Sequence, residues 1–393
     1  MRSFSPDQPR AIVVGLDTMQ GLQAARILAR QGIPVIAIAS DGRHHACRTN
    51  VCEKVVVAES RDELMAVLGE IGRTQQTKGV LIPCLDGKVL TISRAREELS
   101  EWFHIVLPPA DVVEMLMDKS AFYRFAGERG FPIPSTQILG PGDDIDPILG
   151  EVEYPAAVKP AYRTSVWTSH TTEKAFRVDS PAELKALYER VGGWADELIV
   201  QAWIGGGVSD LYSCNCYFSA SGELLATFVA KKLRQWPPDT GQSSLGVECR
   251  NDIVLAETVK LFESVGYRGL GYLEMKYDPD RDEHFIVEPN VGRPTGRSAI
   301  AEAGGVDLLY TMYCDAAGLP LPESRVQRYG TVKWIHLRRD LQSAIVTWRR
   351  GDLRLTDWIR SMRGRKAYAV ASWRDPLPFL FDLFEAMRAA VKR

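Results

Sequence analysis

Residues 11–41 read AIVVGLDTMQGLQAARILARQGIPVIAIASD, and this stretch decides the architecture of the first part of the chain. AIVV is a continuous apolar run. Gly15 and Gly21 mark the turn that follows it. Apolar positions at Leu22, Ala25, Ile27 and Leu28 then recur at helical spacing, before the second apolar run VIAIA. Strand, helix and strand in that order make a βαβ unit, and therefore a parallel sheet. The turn glycines depart from the G-x-G-x-x-G spacing. The missing glycine is the one that lets backbone approach a pyrophosphate, so the stretch reads as a Rossmann-like domain that helps shape a substrate cleft rather than as an NAD or FAD site.

Outward from this unit, KVVVA near Val55 and GVLIP near Val80 are further strands, with RDELMAVLGEIG as the helix between them. An open α/β domain over residues 1–110 follows. Pro108-Pro109 ends it, ADVVEMLMDKSAFYRFAGERG reads as one helix stopping at Gly130, and FPIPST is an extended linker. Beyond residue 155 the β-rich runs PAAVKPAY, ELIVQAWI, LYSCNCYFSASGELLATFVAKKL and GYLEMKYDPDRDEHFIVEPN alternate with turns. The helical patterns SPAELKALYERVG and DIVLAETVKLFESVG interrupt them. Strand runs with helices set apart predict an α+β domain over residues 111–320.

The chain of 393 residues is 45% hydrophobic and 25% charged, enough for two or three cores. Neither a signal-peptide core nor an apolar run of about 18 residues is found, which places the protein in the cytoplasm. Seven scattered cysteines suit buried thiols, with no disulfide expected. The net charge of −2 hides an asymmetry: from Arg325 onward there are 16 Lys/Arg against 6 Asp/Glu. Residues 321–393 are therefore expected to form a small, basic, mostly helical extension rich in tryptophan (Trp334, Trp348, Trp358, Trp373).

The chemistry concentrates in residues 271–290. Two strands, about 271–277 and 284–290, flank the turn DPDRD, and pairing them about Arg281 sets Glu274 opposite Glu288. Asn290 shares the face of Glu288 by alternation. Opposed like charges repel by on the order of 4 kcal/mol at 4 Å and a dielectric of about 20, so a cation is expected between them. Carboxylates with an amide carbonyl suit Mg²⁺; a solvated edge of ordinary charges is the alternative. Lys119 follows an apolar helix pattern, Lys159 ends the strand YPAAVKP, and Arg293 lies three residues past Asn290. A long cation emerging from a buried strand needs an anion to face.

In order and spacing these residues resemble the ATP-grasp superfamily, within it the carboxylate-amine ligase branch that includes D-aspartate-ligase-like proteins. The resemblance rests on Asp118-Lys119-Ser120-Ala121-Phe122, Val158-Lys159-Pro160, the hinge strand 198–205, and Glu274 with Glu288-Pro289-Asn290. It implies a pre-ATP-grasp domain followed by an ATP-grasp domain. ATP and Mg²⁺, with Mn²⁺ as a substitute, are the implied cofactors. Lys119 and Lys159 would bind phosphate oxygens. Gln201, Ala202, Trp203 and Ile204 would face adenine, and Asp210 the ribose. Glu274, Glu288 and Asn290 would hold the metal, and Arg293 would stabilise the transferring phosphoryl group. Gln201 stands where many members carry Glu, and Asp210 is one carbon shorter than the usual glutamate. The segment KKLRQWPPDTGQSSLG resembles a K-x-R-Q-Y-P element, which implies that Lys231 and Arg234 face the active site.

The reaction so implied converts a small-molecule carboxylate to an acyl phosphate that an amine displaces. It demands positioning and charge neutralisation rather than an enzyme nucleophile. Gly205-Gly206-Gly207 and the loop 161–172 are the expected moving parts. A non-catalytic ATP-binding or sensor protein is the rival of another class, and a nicotinamide-dependent oxidoreductase is a weaker one.

Other features carry less. His44-His45-Ala46-Cys47 with Cys52 lacks a second ligand pair at zinc-finger spacing and reads as a loop. Cys214 and Cys216 alternate on one strand face. Asp86-Gly87-Lys88 follows an apolar strand at its carboxyl end, where open α/β sheets bind ligands, although a simple turn explains it nearly as well. The basic tail fits a helical cap packing its tryptophans on the core, or an amphipathic surface touching anionic membrane at the inner face. No nucleic-acid partner is expected, and an oligomer is compatible with all of this.

Overall fold

The computed structural model describes residues 8–238 and 241–391. Residues 1–7 of the opening stretch, Asp239-Thr240 of the segment KKLRQWPPDTGQSSLG, and Lys392-Arg393 of the basic tail lie outside the described residues.

The N-terminal strands are β1 (Ala11–Val14), β2 (Val35–Ala39), β3 (Lys54–Val57), β4 (Gly79–Pro83) and β5 (Phe103–His104). They form a parallel sheet in the order β3-β2-β1-β4-β5. The expected βαβ unit is present. Its helix, Met19–Arg30, begins where Thr18 accepts the Gly21 N–H through its side chain at 3.0 Å. Because strand order turns back between β1 and β4, their carboxyl ends open a crevice of the kind that receives ligands. Asp86 stands just past β4.

The next four strands, β6 (Thr136–Leu139), β7 (Ala156–Pro160), β8 (Phe176–Val178) and β9 (Leu198–Ala202), form an antiparallel sheet in the order β6-β9-β7-β8. Val158, Leu198 and Val200 pack there with Trp167, Leu184 and Val191. The stretch expected as one helix ending at Gly130 is instead two, Ala110–Met117 and Lys119–Glu128. Asp118 separates them because it takes an extended conformation and accepts the Ala121 N–H at 2.8 Å, so the acid of the Asp118-Lys119 pair is a helix cap. The loop 161–172, expected to move, contains the helix Ser165–His170 and anchors it through the fully buried Trp167.

The last seven strands are β10 (Leu211–Phe218), β11 (Leu224–Trp236), β12 (Gln242–Glu248), β13 (Gly269–Asp278), β14 (Glu283–Val291), β15 (Lys333–Ile335) and β16 (Lys366–Tyr368). Their hydrogen-bonded order is β14-β13-β10-β11-β12-β15-β16. The chain divides into a first unit, Met1–Val113 with Ser213–Tyr272 and Asn290–Arg393, and a second, Glu114–Tyr212 with Leu273–Pro289.

This division differs from three consecutive domains split near residues 110 and 320. Apolar side chains explain it: Tyr217, Phe228 and Ala230 share one buried core with Val13, Leu28 and Val35. The basic tail is built into the same unit. Trp334 is fully buried, and its indole N–H donates to Gln23 Oε1 at 2.9 Å. Asp375, also buried, pairs with Arg26 at 2.8 Å. Trp358 donates to Asp340, whereas Trp348 and Trp373 are exposed.

Candidate active site

In the second unit, β7 ends by carrying Lys159 out of an apolar strand. Its ammonium donates to Tyr123 Oη and to Gln201 Oε1, both at 3.0 Å, and lies 4.8 Å from the centre of the Tyr123 ring. These partners are oriented in turn. Tyr123 Oη donates to the Val287 carbonyl at 2.7 Å, and Gln201 Nε2 donates to Thr136 Oγ1 at 2.8 Å. Register explains the meeting, because Gln201 on β9 lies opposite Ala157 on one side and Thr136 on the other. Lys159 is thus fixed by neutral oxygens, which leave its charge uncompensated. Tyr123 and Thr136 escaped sequence reasoning, although Tyr123 directly follows Phe122 of the quoted motif.

The hinge residues are partly committed to structure. The Ala202 N–H donates to the Ser135 carbonyl at 2.9 Å and the Trp203 N–H to the Pro155 carbonyl at 2.8 Å. Arg177 lies over the Trp203 ring. Lys276, unremarked in the sequence, donates to the Ile204 carbonyl at 2.8 Å. Burial lowers its pKa, against the opposing charges of Asp210 and Asp278. Asp210 accepts the Gly207 N–H at 2.7 Å, so it organises the glycine turn first. Lys119 is the first residue of its helix, half-buried. A cavity of about 600 Å³ in this unit is lined by Tyr123, Ile133 and Thr136, but by none of Lys119, Lys159, Gln201, Glu274 or Glu288.

Glu274 and Glu288 are half-buried on the neighbouring strands β13 and β14 of the second unit. Two positions further along β14, Asn290 belongs to the first unit and is buried. Its Oδ1 accepts from Arg293 Nη2 at 2.7 Å, while its Nδ2 is buried without a partner. An amide oxygen has two lone pairs, so one is left for a cation. Carboxylates and amide carbonyls are hard oxygen donors, the kind that Mg²⁺ takes. Among the described residues no group of three His, Cys, Asp or Glu gathers as a metal site. His45 lies 3.2 Å from Glu385, and the Cys47 thiol donates to the Asp41 carbonyl. All seven cysteines are free.

In the first unit Arg293 reaches the end of β4. It pairs with both oxygens of Asp86 and donates to Tyr272 Oη at 2.7 Å. Burial would lower the guanidinium pKa, but the interactions with Tyr272 and Asp86 together outweigh burial and raise it. Gly292 makes this approach: its φ is +67°, and a Cβ there would sit 2.5 Å from Leu107 Cδ2. Asp86 is therefore the counter-ion of Arg293.

A bulge in β11 sets Lys231 opposite Val247 and Arg234 opposite Leu245. Those partners are two apart, so the two cations share a face despite their odd spacing. Arg234, however, is committed to structure. It grips both oxygens of the fully buried Asp340 at 2.9 Å and donates to Ser361 Oγ at 2.8 Å. It anchors the helix Leu337–Arg349, because a buried carboxylate demands that partner.

No protein-family model matches the chain. It is 28% identical over 232 residues to the D-aspartate ligase of Enterococcus faecium (strain Aus0004), covering 56% of this chain and 54% of that one. The N-terminal section of the carbamoyl phosphate synthase large chain of Methanopyrus kandleri is 20% identical over 79% of this chain and 55% of its own length. The chain is an ATP-grasp relative of the carboxylate-amine ligases. It spans about half the length of these curated relatives.

Among solved structures, an ADP complex of N5-carboxyaminoimidazole ribonucleotide synthetase superposes with a TM-score of 0.63 at 15% identity, covering 84% of this chain and 81% of that one. The biotin carboxylase domain of Hydrogenobacter thermophilus 2-oxoglutarate carboxylase, in complex with MgADP, ADP and bicarbonate, gives 0.60 at 16% identity, covering 81% and 72%. At such identities these likenesses establish the fold alone. Among its described residues no helix is long and apolar enough to cross a membrane.

Proposed function

We propose that this protein is an ATP- and Mg²⁺-dependent ligase that activates a small-molecule carboxylate as an acyl phosphate and joins it to an amine, releasing ADP and phosphate. The observation that carries the reading is Lys159, a cation that among the described residues is fixed at a strand end by neutral oxygens. Such a group is pre-oriented for a phosphate oxygen and keeps its full charge for it. Lys119 would add a second cation. Gln201 to Ile204 would border adenine with the groups the sheet leaves over, and Asp210 would offer its carboxylate to the ribose.

Glu274, Glu288 and Asn290 would hold Mg²⁺, or Mn²⁺ in its place, which neutralises phosphate charge when bound. A carboxylate cannot acylate an amine directly because its leaving group would be oxide. Phosphoryl transfer supplies a leaving group, and the protein's own task is to align the reactants and exclude water. Arg293, with Asp86 opposite, would act as a held dipole that positions Asn290 rather than as a lone cation.

Mg²⁺-dependent ADP release from ATP, measured against pools of amino acids, diamines and small carboxylates, tests the reading. Release should rise with one pair of pools and fall about 100-fold or more in Glu288→Ala. Nucleotide binding without turnover would instead establish the non-catalytic rival. On the first unit, Leu341, Ile345 and Trp348 make an exposed stripe on one helix, within a region where Asp340, Asp375 and Asp382 are buried and most arginines are not. This favours contact with an anionic membrane at the cytoplasmic face. Flotation with phosphatidylserine vesicles checks it, and a chain that stays in the dense fraction would remove the idea.

A further inference from the structure

The hinge of the second unit is short of donors. Of the N–H groups from Ala202 to Gly207, that of Ala202 goes to the Ser135 carbonyl, that of Trp203 to the Pro155 carbonyl, that of Gly205 to Asp278 Oδ2 at 2.9 Å and that of Gly207 to Asp210 Oδ2. A base lying along this strand meets four amides already in use. The carbonyl of Ile204 is met by a side chain instead, because Lys276 on β13 brings its ammonium to 2.8 Å.

An ammonium has three N–H groups and no acceptor, so one bond to Ile204 leaves two donors at the hinge. Lys276 is half-buried, and burial lowers its pKa while the charges of Asp210 and Asp278 raise it without a hydrogen bond to either. Both carboxylates are committed to backbone: Asp278 accepts from Gly205, Asp280 and Arg281, and Asp210 from Gly207. A cation partly out of water with donors to spare calls for acceptors.

We infer that Lys276 reads the purine base and admits a 6-oxopurine nucleotide, such as inosine or guanosine triphosphate, beside ATP. The inference rests on the ligase reading above, which sets the base against residues 201–204. Position 6 of the ring decides the pairing. An oxo group there accepts, and with N7 it makes an edge of two adjacent acceptors, the edge that lysine takes on guanine. An amino group donates, so adenine offers the ammonium N7 alone and turns its amino hydrogens to the second lone pair of the Ile204 carbonyl. Adenine is held by one bond of each kind. A 6-oxopurine is held by two bonds from one cation, which are stronger than bonds between neutral groups. A hydrocarbon side chain at position 276 would leave the oxo group unpaired, at a greater cost to the 6-oxopurine than to adenine.

Calorimetric titration of MgADP and of the magnesium complex of inosine diphosphate into the full chain tests the inference in wild type and Lys276→Met. The two bases differ at position 6 and in the proton on N1. Wild type should bind both within about fivefold of each other, and Lys276→Met should weaken MgADP about threefold and the inosine nucleotide about thirtyfold, which moves their ratio about tenfold. A lysine that acted on the phosphates alone would weaken both alike. A wild type that favours MgADP beyond the fivefold margin, or a ratio that Lys276→Met leaves unmoved, would overturn the inference while the nucleotide reading stands. Binding of neither nucleotide to wild type would overturn both. If Lys276→Met does not fold, the wild-type ratio decides alone.

Discussion

Lys159 in the second unit and Arg293 in the first carry the same expectation from sequence, a cation facing transferred phosphate, but they stand in opposite surroundings. Lys159 is held by a phenol and an amide oxygen. Arg293 is held by a carboxylate, a phenol and an amide oxygen. The difference teaches that position alone does not make a cation available. A neutral cradle orients charge and leaves it to a ligand, whereas a carboxylate cradle consumes most of it.

Arg234 is the extreme of the second kind and provides the largest test. Arg234→Ala strands the buried carboxylate of Asp340, so stability in urea should fall by about 3–5 kcal/mol, while MgADP affinity holds. Loss of MgADP affinity at unchanged stability would give Arg234 a part in the active site and break the contrast. Lys159→Ala should do the opposite, lowering kcat/KM for ATP by about 10²–10³ with a smaller change in stability. An ATP parameter that does not move would show that the neutral cradle serves packing alone.

The smallest test converts one surrounding into the other. Gln201→Glu gives Lys159 a carboxylate partner, and a partly exposed ion pair is worth about 0.5–1 kcal/mol, so KM for ATP should rise about two- to fivefold. A KM that is unchanged or lower would mean that Gln201 does not tune the lysine's charge. Titration of ATP in steady state at fixed Mg²⁺ reads both Lys159→Ala and Gln201→Glu.

Much of this was legible in the residues themselves. The alternation and runs of 11–41 carry the parallel sheet, because strand and helix periods are local properties of side-chain order. The Lys-Pro end of β7 stood out because a charge ending an apolar strand is rare, and the two glutamates of β13 and β14 because like charges set opposite each other repel.

Partnership was not legible, because it depends on groups far apart in the chain. Asp86 meets Arg293 across 207 positions, and Asp340 meets Arg234 across 106. The bulge that turns Lys231 and Arg234 to one face is likewise a matter of register between β11 and β12. Residue order offered a basic tail packing its tryptophans on the core as one of two readings, but it could not name the partners. The pairing of Asp375 with Arg26 and of Trp334 with Gln23 forms only once that unit has folded. The sequence by itself determined which side chains carry charge and which strands and helices present them. Only the tertiary structure decided which of those charges are cancelled and which are kept, because Coulomb and hydrogen-bond energies depend on distances that long-range packing sets.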